Sequence, residues 1–116
     1  MSLEKFFDPK SVAVVGASRQ RGKVGHEILT GLLAGGFEGR VFPVNPKAEE
    51  IEGLRCYPDL ASIGEAPELV IVVVPPPAVP EVMRQCARAG VRNVIVITAG
   101  FKEVGEAGRR LEEEIV

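Results

Sequence analysis

A polar loop between a predicted strand and a predicted helix carries the residue types of a phosphate-binding site. The apolar run of the strand ends at Gly16, and an apolar helical pattern begins at Val24. Between them lie three cationic side chains, Arg19, Arg21 and Lys23. The backbone N–H groups of such a loop and the helix dipole favour an anion. The cations favour a ligand with more negative charge than a plain pyrophosphate; a solvated loop is the alternative interpretation.

A lysine follows the second predicted strand, where a nicotinamide-binding fold would carry an acidic residue. That strand ends at Val44, and Asn45, Pro46 and Lys47 follow it. An Asp or Glu at this point binds a ribose 2′-hydroxyl, whereas a lysine attracts a phosphate. The glycines also depart from the tight G-x-G-x-x-G spacing, since they stand at Gly16, Gly22 and Gly25. The lysine favours the 3′-phosphate of coenzyme A or the 2′-phosphate of NADP over an unphosphorylated ribose, and a surface lysine is the alternative.

Apolar periodicity predicts alternating strands and helices that position these loops. Strands are expected at Ser11–Val15, Arg40–Val44, Gly53–Tyr57, Leu69–Val74 and Asn93–Thr98. Helices are expected at Val24–Gly36, on a face formed by Val79, Val82, Met83 and Cys86, and on a face between Val104 and Ile115, with a turn at Pro58–Ile63. This alternation predicts an α/β, Rossmann-like three-layer domain whose parallel sheet has the strand order 3-2-1-4-5.

The predicted strand order places the ligand beyond the carboxyl ends of strands 1 and 4, where the chain reverses direction. Four loops end strands at this edge, and all are rich in glycine, proline or cations. They are residues 16–23, 45–48, 74–77 and 98–102.

The composition excludes several classes of protein. The 116 residues fit one domain, and 46% hydrophobic residues with 5% aromatics predict a core of aliphatic side chains. A net charge of −2 disfavours non-specific binding of nucleic acid. The longest apolar run, Leu69–Val79, contains prolines and is too short to span a bilayer. The N-terminus lacks the apolar segment of a signal peptide, so we expect the protein in the cytoplasm and away from membranes.

The cysteines and the single histidine do not form a recognisable metal or catalytic site. Cys56 and Cys86 lack C-x-x-C spacing and a histidine nearby in sequence. A disulfide is not expected, because nothing in the sequence points to export. Cys86 is expected in the core and Cys56 on an edge strand, with a mixed disulfide to a thiol ligand as its alternative. His26 is expected to be solvated or loosely packed, and a ligand contact near the helix N-terminus is the alternative.

Four ordered segments resemble the N-terminal CoA-binding domain of ADP-forming acyl-CoA synthetases, a family related to the α subunit of succinyl-CoA synthetase. They are Lys10-Ser-Val-Ala-Val-Val-Gly-Ala-Ser, Pro43-Val-Asn-Pro-Lys, Val73-Val-Pro-Pro and Thr98-Ala-Gly-Phe-Lys-Glu. The first half is also similar to small stand-alone CoA-binding proteins, but the last segment fits the synthetases better. The resemblance implies coenzyme A as the ligand and predicts that residues 1–116 form a CoA-binding domain. Because the sequence ends at Val116 inside an amphipathic helical pattern without a cap, we expect a domain excised from a longer polypeptide, or the start of one.

The resemblance also implies roles for individual residues. The polar loop would hold the CoA phosphates, and Lys47 would reach the nucleotide end. The end of strand 4 would line the adenine and pantetheine path, and the segment after strand 5 would lie near the pantetheine arm. The expected ligand-binding residues are Gly16, Ser18, Arg19, Gln20, Arg21, Lys47, Val74, Pro75, Pro76, Thr98, Ala99 and Gly100.

No residue of this chain is expected to be catalytic. In the synthetases a phosphorylated histidine and an ATP-grasp nucleotide site belong to other domains or subunits, and no segment of this chain matches them. The implied function is to bind CoA within an enzyme that converts acyl-CoA, ADP and phosphate to acid, CoA and ATP. The alternatives are a stand-alone CoA-binding or ligand-sensing protein and, less favoured, a fragment of an NADP-dependent oxidoreductase.

Overall fold

Four parallel strands form the central sheet of the computed structural model, which describes residues 9–97 of the chain. The elements in chain order are β1 (Ser11–Val15), α1 (Val24–Ala34), β2 (Arg40–Val44), β3 (Glu50–Ile51), β4 (Leu54–Arg55), β5 (Leu69–Val72), α2 (Val79–Ala89) and β6 (Val94–Val96). Short 3₁₀ turns lie at Ala61–Ile63 and Pro76–Ala78. The sheet order is β2-β1-β5-β6, and Val15 of β1 lies opposite Val44 on one side and Val72 on the other.

Within residues 9–97, α1 packs against one face of this sheet and α2 against the other. β1 and β5 are buried along their whole length, as expected for apolar runs without alternation in a parallel sheet. Val12 and Val14 share a core cluster with Leu29 of α1. The alternate residues of β1 face the other side and share a cluster with Val82 and Cys86 of α2. The helix–sheet–helix layering confirms the predicted α/β class and three-layer, Rossmann-like architecture.

The prediction of a third parallel strand at Gly53–Tyr57 is wrong. Residues 50–55 instead form the antiparallel hairpin β3–β4, and only Tyr57 makes a single parallel bridge to Val44 of β2. The turn of this hairpin consists of Glu52 and Gly53, with φ angles of 52° and 78°. Two successive positive φ angles are typical of a type I′ turn, which closes a tight hairpin. The predicted order is therefore correct for strands 2, 1, 4 and 5, and the third position holds one bridging residue.

β1 and β2 have the predicted bounds, and the other predicted elements are present with shorter bounds where the structure describes them. Helix α1 ends before Gly35, and α2 ends before Gly90, whose left-handed conformation and N–H bonds to two preceding carbonyls terminate the helix. β5 ends at Val72, two residues earlier than predicted. The predicted helix between Val104 and Ile115 lies outside the described residues.

Candidate functional site

Three of the four predicted ligand loops lie together at the carboxyl edge of the sheet. Residues 16–23, here called the phosphate loop, follow β1, and residues 45–48, the Lys47 loop, follow the neighbouring β2. Residues 74–77 lie beyond the end of β5, on the other side of β1. The connection from β1 leads to β2 on one side, whereas β5, which comes later in the chain, lies on the other side of β1. This reversal of strand order makes a topological switch point at the carboxyl edge. The fourth loop, with Thr98, Ala99 and Gly100, lies outside the described residues.

Two glycines allow close approaches at the end of β1, Gly16 to the segment after β5 and Gly25 of α1 to Gly16. Gly16 has a φ of +97°, and a Cβ built there would lie 2.0 Å from the carbonyl oxygen of Val73. A Cβ built on Gly25 would lie 2.0 Å from the carbonyl oxygen of Gly16. Only glycine fits at these two contacts. The helix N-terminus, with its unpaired N–H groups, is thereby held at the switch point between β1 and β5.

The phosphate loop presents its charged side chains to solvent. Ser18 is half-buried, and its hydroxyl accepts a 3.0 Å hydrogen bond from the Gln20 N–H, which shapes the turn. Within residues 9–97, no carboxylate forms an ion pair with any cation of the phosphate loop or the Lys47 loop. These exposed cations are Arg19, Arg21, Lys23 and Lys47. Their positive charge is therefore not neutralised by the described part of the chain.

One carboxylate does reach the backbone of the phosphate loop. The Gly22 N–H donates a 3.2 Å hydrogen bond to Oε1 of Glu27, which lies in the first turn of α1. The helix dipole favours a negative charge at this position. The carboxylate of Glu27 therefore accepts a hydrogen bond from one of the backbone N–H groups that a bound anion would otherwise use.

Asn45 joins the phosphate loop to the Lys47 loop and was not predicted as a site residue. Its Nδ2 donates a 2.8 Å hydrogen bond to the carbonyl of Ala17, and its Oδ1 accepts a 2.8 Å bond from the Lys47 N–H. The second bond is an Asx-turn, for which Asn-Pro after a strand is a recognisable sequence signal. The first bond spans 28 residues along the chain, and no sequence pattern indicates it.

Cys56 lies beneath this junction as a protonated thiol. It is buried, and its Sγ–H donates a 3.5 Å bond to the carbonyl of Asn45. Burial raises the pKa of the Cys56 thiol, outweighing the opposing effects of its backbone hydrogen bonds and the positive charge of Arg19. The hydrogen bond from Asn45 to the carbonyl of Ala17 joins the phosphate loop to the Lys47 loop above this thiol. A buried thiol with a raised pKa is a poor nucleophile, which disfavours a mixed disulfide.

Cys86 occupies the predicted position in the core. It is buried between α2 and the sheet, and desolvation raises the pKa of its thiol. Both cysteines are free thiols.

The expectation for His26 is wrong. The histidine is 6% exposed, and its Nε2 lies 2.8 Å from Oε1 of Glu52 at the turn of the β3–β4 hairpin. Its Nδ1 is buried without a hydrogen-bond partner among the described residues. The sequence pattern of α1 could not indicate this burial, because the hairpin that covers His26 belongs to another part of the chain. The contact joins the first turn of α1 to the hairpin that follows the Lys47 loop.

The segment after β5 forms an apolar border beside Gly16. The side chain of Val74 is half-buried, and its Cγ1 lies 3.2 Å from the position of a Cβ at Gly16. Pro75 and Pro76 are exposed, and the carbonyl of Pro75 accepts a 2.9 Å bond from Ala78 as the 3₁₀ turn begins. The exposed proline rings provide a flat apolar surface next to the cationic loops.

A cavity at the amino edge of the sheet does not contain the phosphate loop, the Lys47 loop or the N-terminus of α1. It has a volume of about 590 Å³ and lies at the amino ends of β1 and β2, lined by Lys10, Phe37, Glu38 and Arg40 among others. In α/β sheets, ligands bind at the carboxyl ends of the strands. No group of three or more His, Cys, Asp or Glu side chains in residues 9–97 is arranged to hold a metal ion. Among the same residues, no helix has the length and apolar character needed to cross a membrane.

Comparison with known proteins identifies the family. The sequence matches the family described as "CoA binding domain" over residues 10–115, nearly the whole chain. The chain belongs to the CoA-binding domain family. The family match confirms the resemblance that the four sequence segments indicate.

Two curated relatives of this CoA-binding domain are a larger enzyme and an enzyme subunit. It is 43% identical over 98% of its length to the ADP-forming acetate–CoA ligase II of Archaeoglobus fulgidus, of which it covers 17%. It is 42% identical over its full length to the α subunit of ADP-forming acetate–CoA ligase I of Pyrococcus furiosus, of which it covers 26%. The CoA-binding domain thus spans about a sixth to a quarter of these relatives.

A solved structure agrees with the fold of the CoA-binding domain. The dinucleotide forming acetyl-coenzyme A synthetase 1 of Ca. Korarchaeum cryptofilum, in complex with phosphate and ADP, superposes with a TM-score of 0.80. The two proteins are 45% identical over 99% of this chain and 24% of that one. The CoA-binding domain is therefore closely related to ADP-forming acetyl-CoA synthetases in sequence and in fold.

Proposed function

We propose that this domain binds coenzyme A at the carboxyl edge of its sheet, as the CoA-binding part of a cytoplasmic ADP-forming acyl-CoA synthetase. The observation that carries the proposal is the meeting of two cationic loops beside a glycine-packed helix N-terminus. Four cations there have no carboxylate partner within the described chain. CoA carries a pyrophosphate and a 3′-phosphate, and this is the charge distribution that two adjacent cationic loops complement. The free thiols of both cysteines suit a reducing compartment.

The phosphate loop takes the pyrophosphate of CoA in this proposal. The turn at Gly16 leaves the loop backbone open to the ligand, while Arg19 and Arg21 supply charge. Ser18 and Gln20 supply polar groups, and the N-terminus of α1 adds its dipole.

Lys47 takes the 3′-phosphate, and the apolar border receives the rest of the ligand. The adenine lies against Val74 and against the exposed rings of Pro75 and Pro76. The pantetheine arm passes the segment that follows β6, with Thr98, Ala99 and Gly100.

The domain contributes binding and orientation to the reaction. The enzyme converts acyl-CoA, ADP and phosphate to acid, CoA and ATP, or runs in reverse. In the reverse direction, the CoA thiol must meet an acyl phosphate held by a neighbouring domain, and fixing CoA raises its effective concentration there. Further synthetase domains or a second subunit supply the phosphohistidine and the ATP-grasp site. No residue of this chain is assigned to the chemical steps.

Calorimetric titration with CoA and dephospho-CoA tests the proposal. The two ligands differ only in the 3′-phosphate assigned to Lys47. A charge-assisted hydrogen bond contributes about 1.5–3 kcal/mol, so CoA should bind about 10-fold to 100-fold more tightly. Equal affinities would remove the role of Lys47, and failure of both ligands to bind would overturn the proposal.

NADP is the competing ligand, because a lysine after β2 would serve its 2′-phosphate equally well. Adding NADPH and following its fluorescence separates the two. An unchanged NADPH signal together with CoA binding is the expected result.

A further inference from the structure

We infer that Asn45 is a specificity-determining positioning residue, which sets the separation between the phosphate loop and Lys47. It thereby determines how strongly the protein prefers a ligand with a ribose 3′-phosphate. The inference rests on the proposed function and adds to it a residue that does not touch the ligand. The strands that precede the two loops are joined by a 3.0 Å bond from the Gly16 N–H to the carbonyl of Val44, and the Asn45 side chain adds a link beyond the strand ends.

The hydrogen bonds of Asn45 fix both loops at once. Through Nδ2 it holds the carbonyl of Ala17, one residue after the turn at Gly16, and through Oδ1 it holds the backbone N–H of Lys47. Both distances are 2.8 Å. The bond to Lys47 is made at its backbone, so Asn45 fixes where that side chain starts and leaves the ammonium group free.

The backbone of Asn45 is fixed by a third part of the chain. Its N–H donates a 2.9 Å bond to the carbonyl of Tyr57, and its own carbonyl accepts the bond from Cys56. Tyr57 in turn donates from its N–H to Pro43 of β2, also at 2.9 Å. The junction is therefore anchored to the edge of the sheet, and the Asn45 side chain transmits that fixed position to both loops.

The chemistry of the two bonds requires an asparagine. An Asx-turn needs only an acceptor, so aspartate or serine would satisfy the Lys47 N–H. The carbonyl of Ala17 needs a donor at the same time. A short side-chain amide supplies one acceptor and two donors, whereas an ionised aspartate supplies acceptors alone. An aspartate would also put a negative charge between two loops that are to bind phosphates.

The test compares the affinities for CoA and for dephospho-CoA in the complete natural polypeptide that carries this sequence. The variants are Asn45→Ala, Lys47→Ala and the double variant, with Asn45→Ser as a neutral change that keeps an acceptor for the Lys47 N–H. Asn93→Ala is the matched control. The Asn93 side chain also donates to a carbonyl, that of Glu68 at 3.1 Å, but at the opposite edge of the sheet.

Wild type and Asn93→Ala should both prefer CoA by about 10-fold or more. Asn45→Ala and Asn45→Ser should each reduce that preference at least threefold. The double variant should retain as much preference for CoA as Lys47→Ala alone, because Asn45 acts through Lys47. This non-additivity is expected of residues that act through one contact.

Several results would overturn the inference. Full preference in both Asn45 variants, alongside its loss in Lys47→Ala, would refute the role of Asn45 while leaving the proposed function intact. An equal loss of affinity for both ligands would make Asn45 a residue of the fold only. If Asn45→Ala does not fold, Asn45→Ser decides between these results. A wild type without any preference would refute the proposed role of Lys47 itself.

Discussion

Charge at individual side chains determines what the carboxyl edge can bind. The cations of the phosphate loop and the Lys47 loop attract phosphate, while Glu27 brings a carboxylate to the same loop backbone through Gly22. A carboxylate at this position stabilises the start of α1, because the helix dipole favours it. It also opposes a bound anion. The two effects predict that stability and affinity respond in opposite directions when this charge is removed.

Glu27→Gln should therefore raise the affinity for CoA and slightly lower the stability of the protein. The amide oxygen of glutamine can still accept from the Gly22 N–H, so the change removes little besides the charge. We expect affinity to rise about twofold to fivefold at low salt, the size of charge effects at helix ends, and less at high salt. Calorimetry at two salt concentrations and a thermal melt measure both quantities.

Glu38→Gln is the matched control for this prediction. It removes the same charge from an exposed residue beside the cavity at the amino edge of the sheet. Its CoA affinity should stay near that of the wild type. A similar rise in both variants would mean that net charge alone acts, and no rise in Glu27→Gln would contradict a carboxylate in competition with the ligand.

At the residue scale, sequence reasoning predicts side chains that act through their type and misses those that act through a distant contact. Arg19, Arg21 and Lys47 follow strand ends and are exposed at the expected edge. Asn45 and His26 depend on partners far along the chain, Ala17 and Glu52. Their roles depend on tertiary contacts, which periodicity and local turn chemistry do not contain.

At the scale of elements, the site depends on the close packing of α1 against the end of β1. The contact is made at Gly25, where a Cβ would meet the carbonyl of Gly16. Gly31 lies in the same helix, is exposed, and has open space where its Cβ would be. The two glycines therefore have opposite expected responses to the same substitution.

Gly25→Ala should destabilise the protein, and Gly31→Ala should stabilise it. Overpacking costs about 1–3 kcal/mol, which exceeds the gain of alanine in a helix. At an open helical position that gain is about 0.5–1 kcal/mol. Urea denaturation of both variants measures the free energy of unfolding, and Gly25→Ala should also weaken CoA binding because α1 is displaced. Equal stabilisation by both changes would contradict the close contact.

At the scale of elements, the predictable parts are those with a strong periodic signal. The apolar runs of β1 and β5 and the spaced apolar residues of α2 predict elements that the structure contains. The β3–β4 hairpin was missed because its strands are two residues long and its turn begins with Glu52, a residue that seldom adopts a positive φ. Gly53 was interpreted as the start of a strand, whereas it is the second residue of the turn.

For the whole molecule, the sheet order explains why segments far apart in sequence form one site. β1 is central, and β2 and β5 flank it, so the loops after all three strands meet at one edge. The alternation of strands and helices predicts a parallel sheet, and the one hand of its crossovers reduces the possible topologies; the order itself follows from choosing the Rossmann-like arrangement among them. The chain spans about a sixth to a quarter of the length of these two curated relatives.

The most direct test of the account is a crystal structure of the complete natural polypeptide with CoA. We expect the pyrophosphate at the phosphate loop and the start of α1. The ammonium group of Lys47 should lie within about 4 Å of a 3′-phosphate oxygen, the distance of an ion pair. CoA bound at the cavity on the amino edge, with the crevice between β1 and β5 empty, would contradict the account.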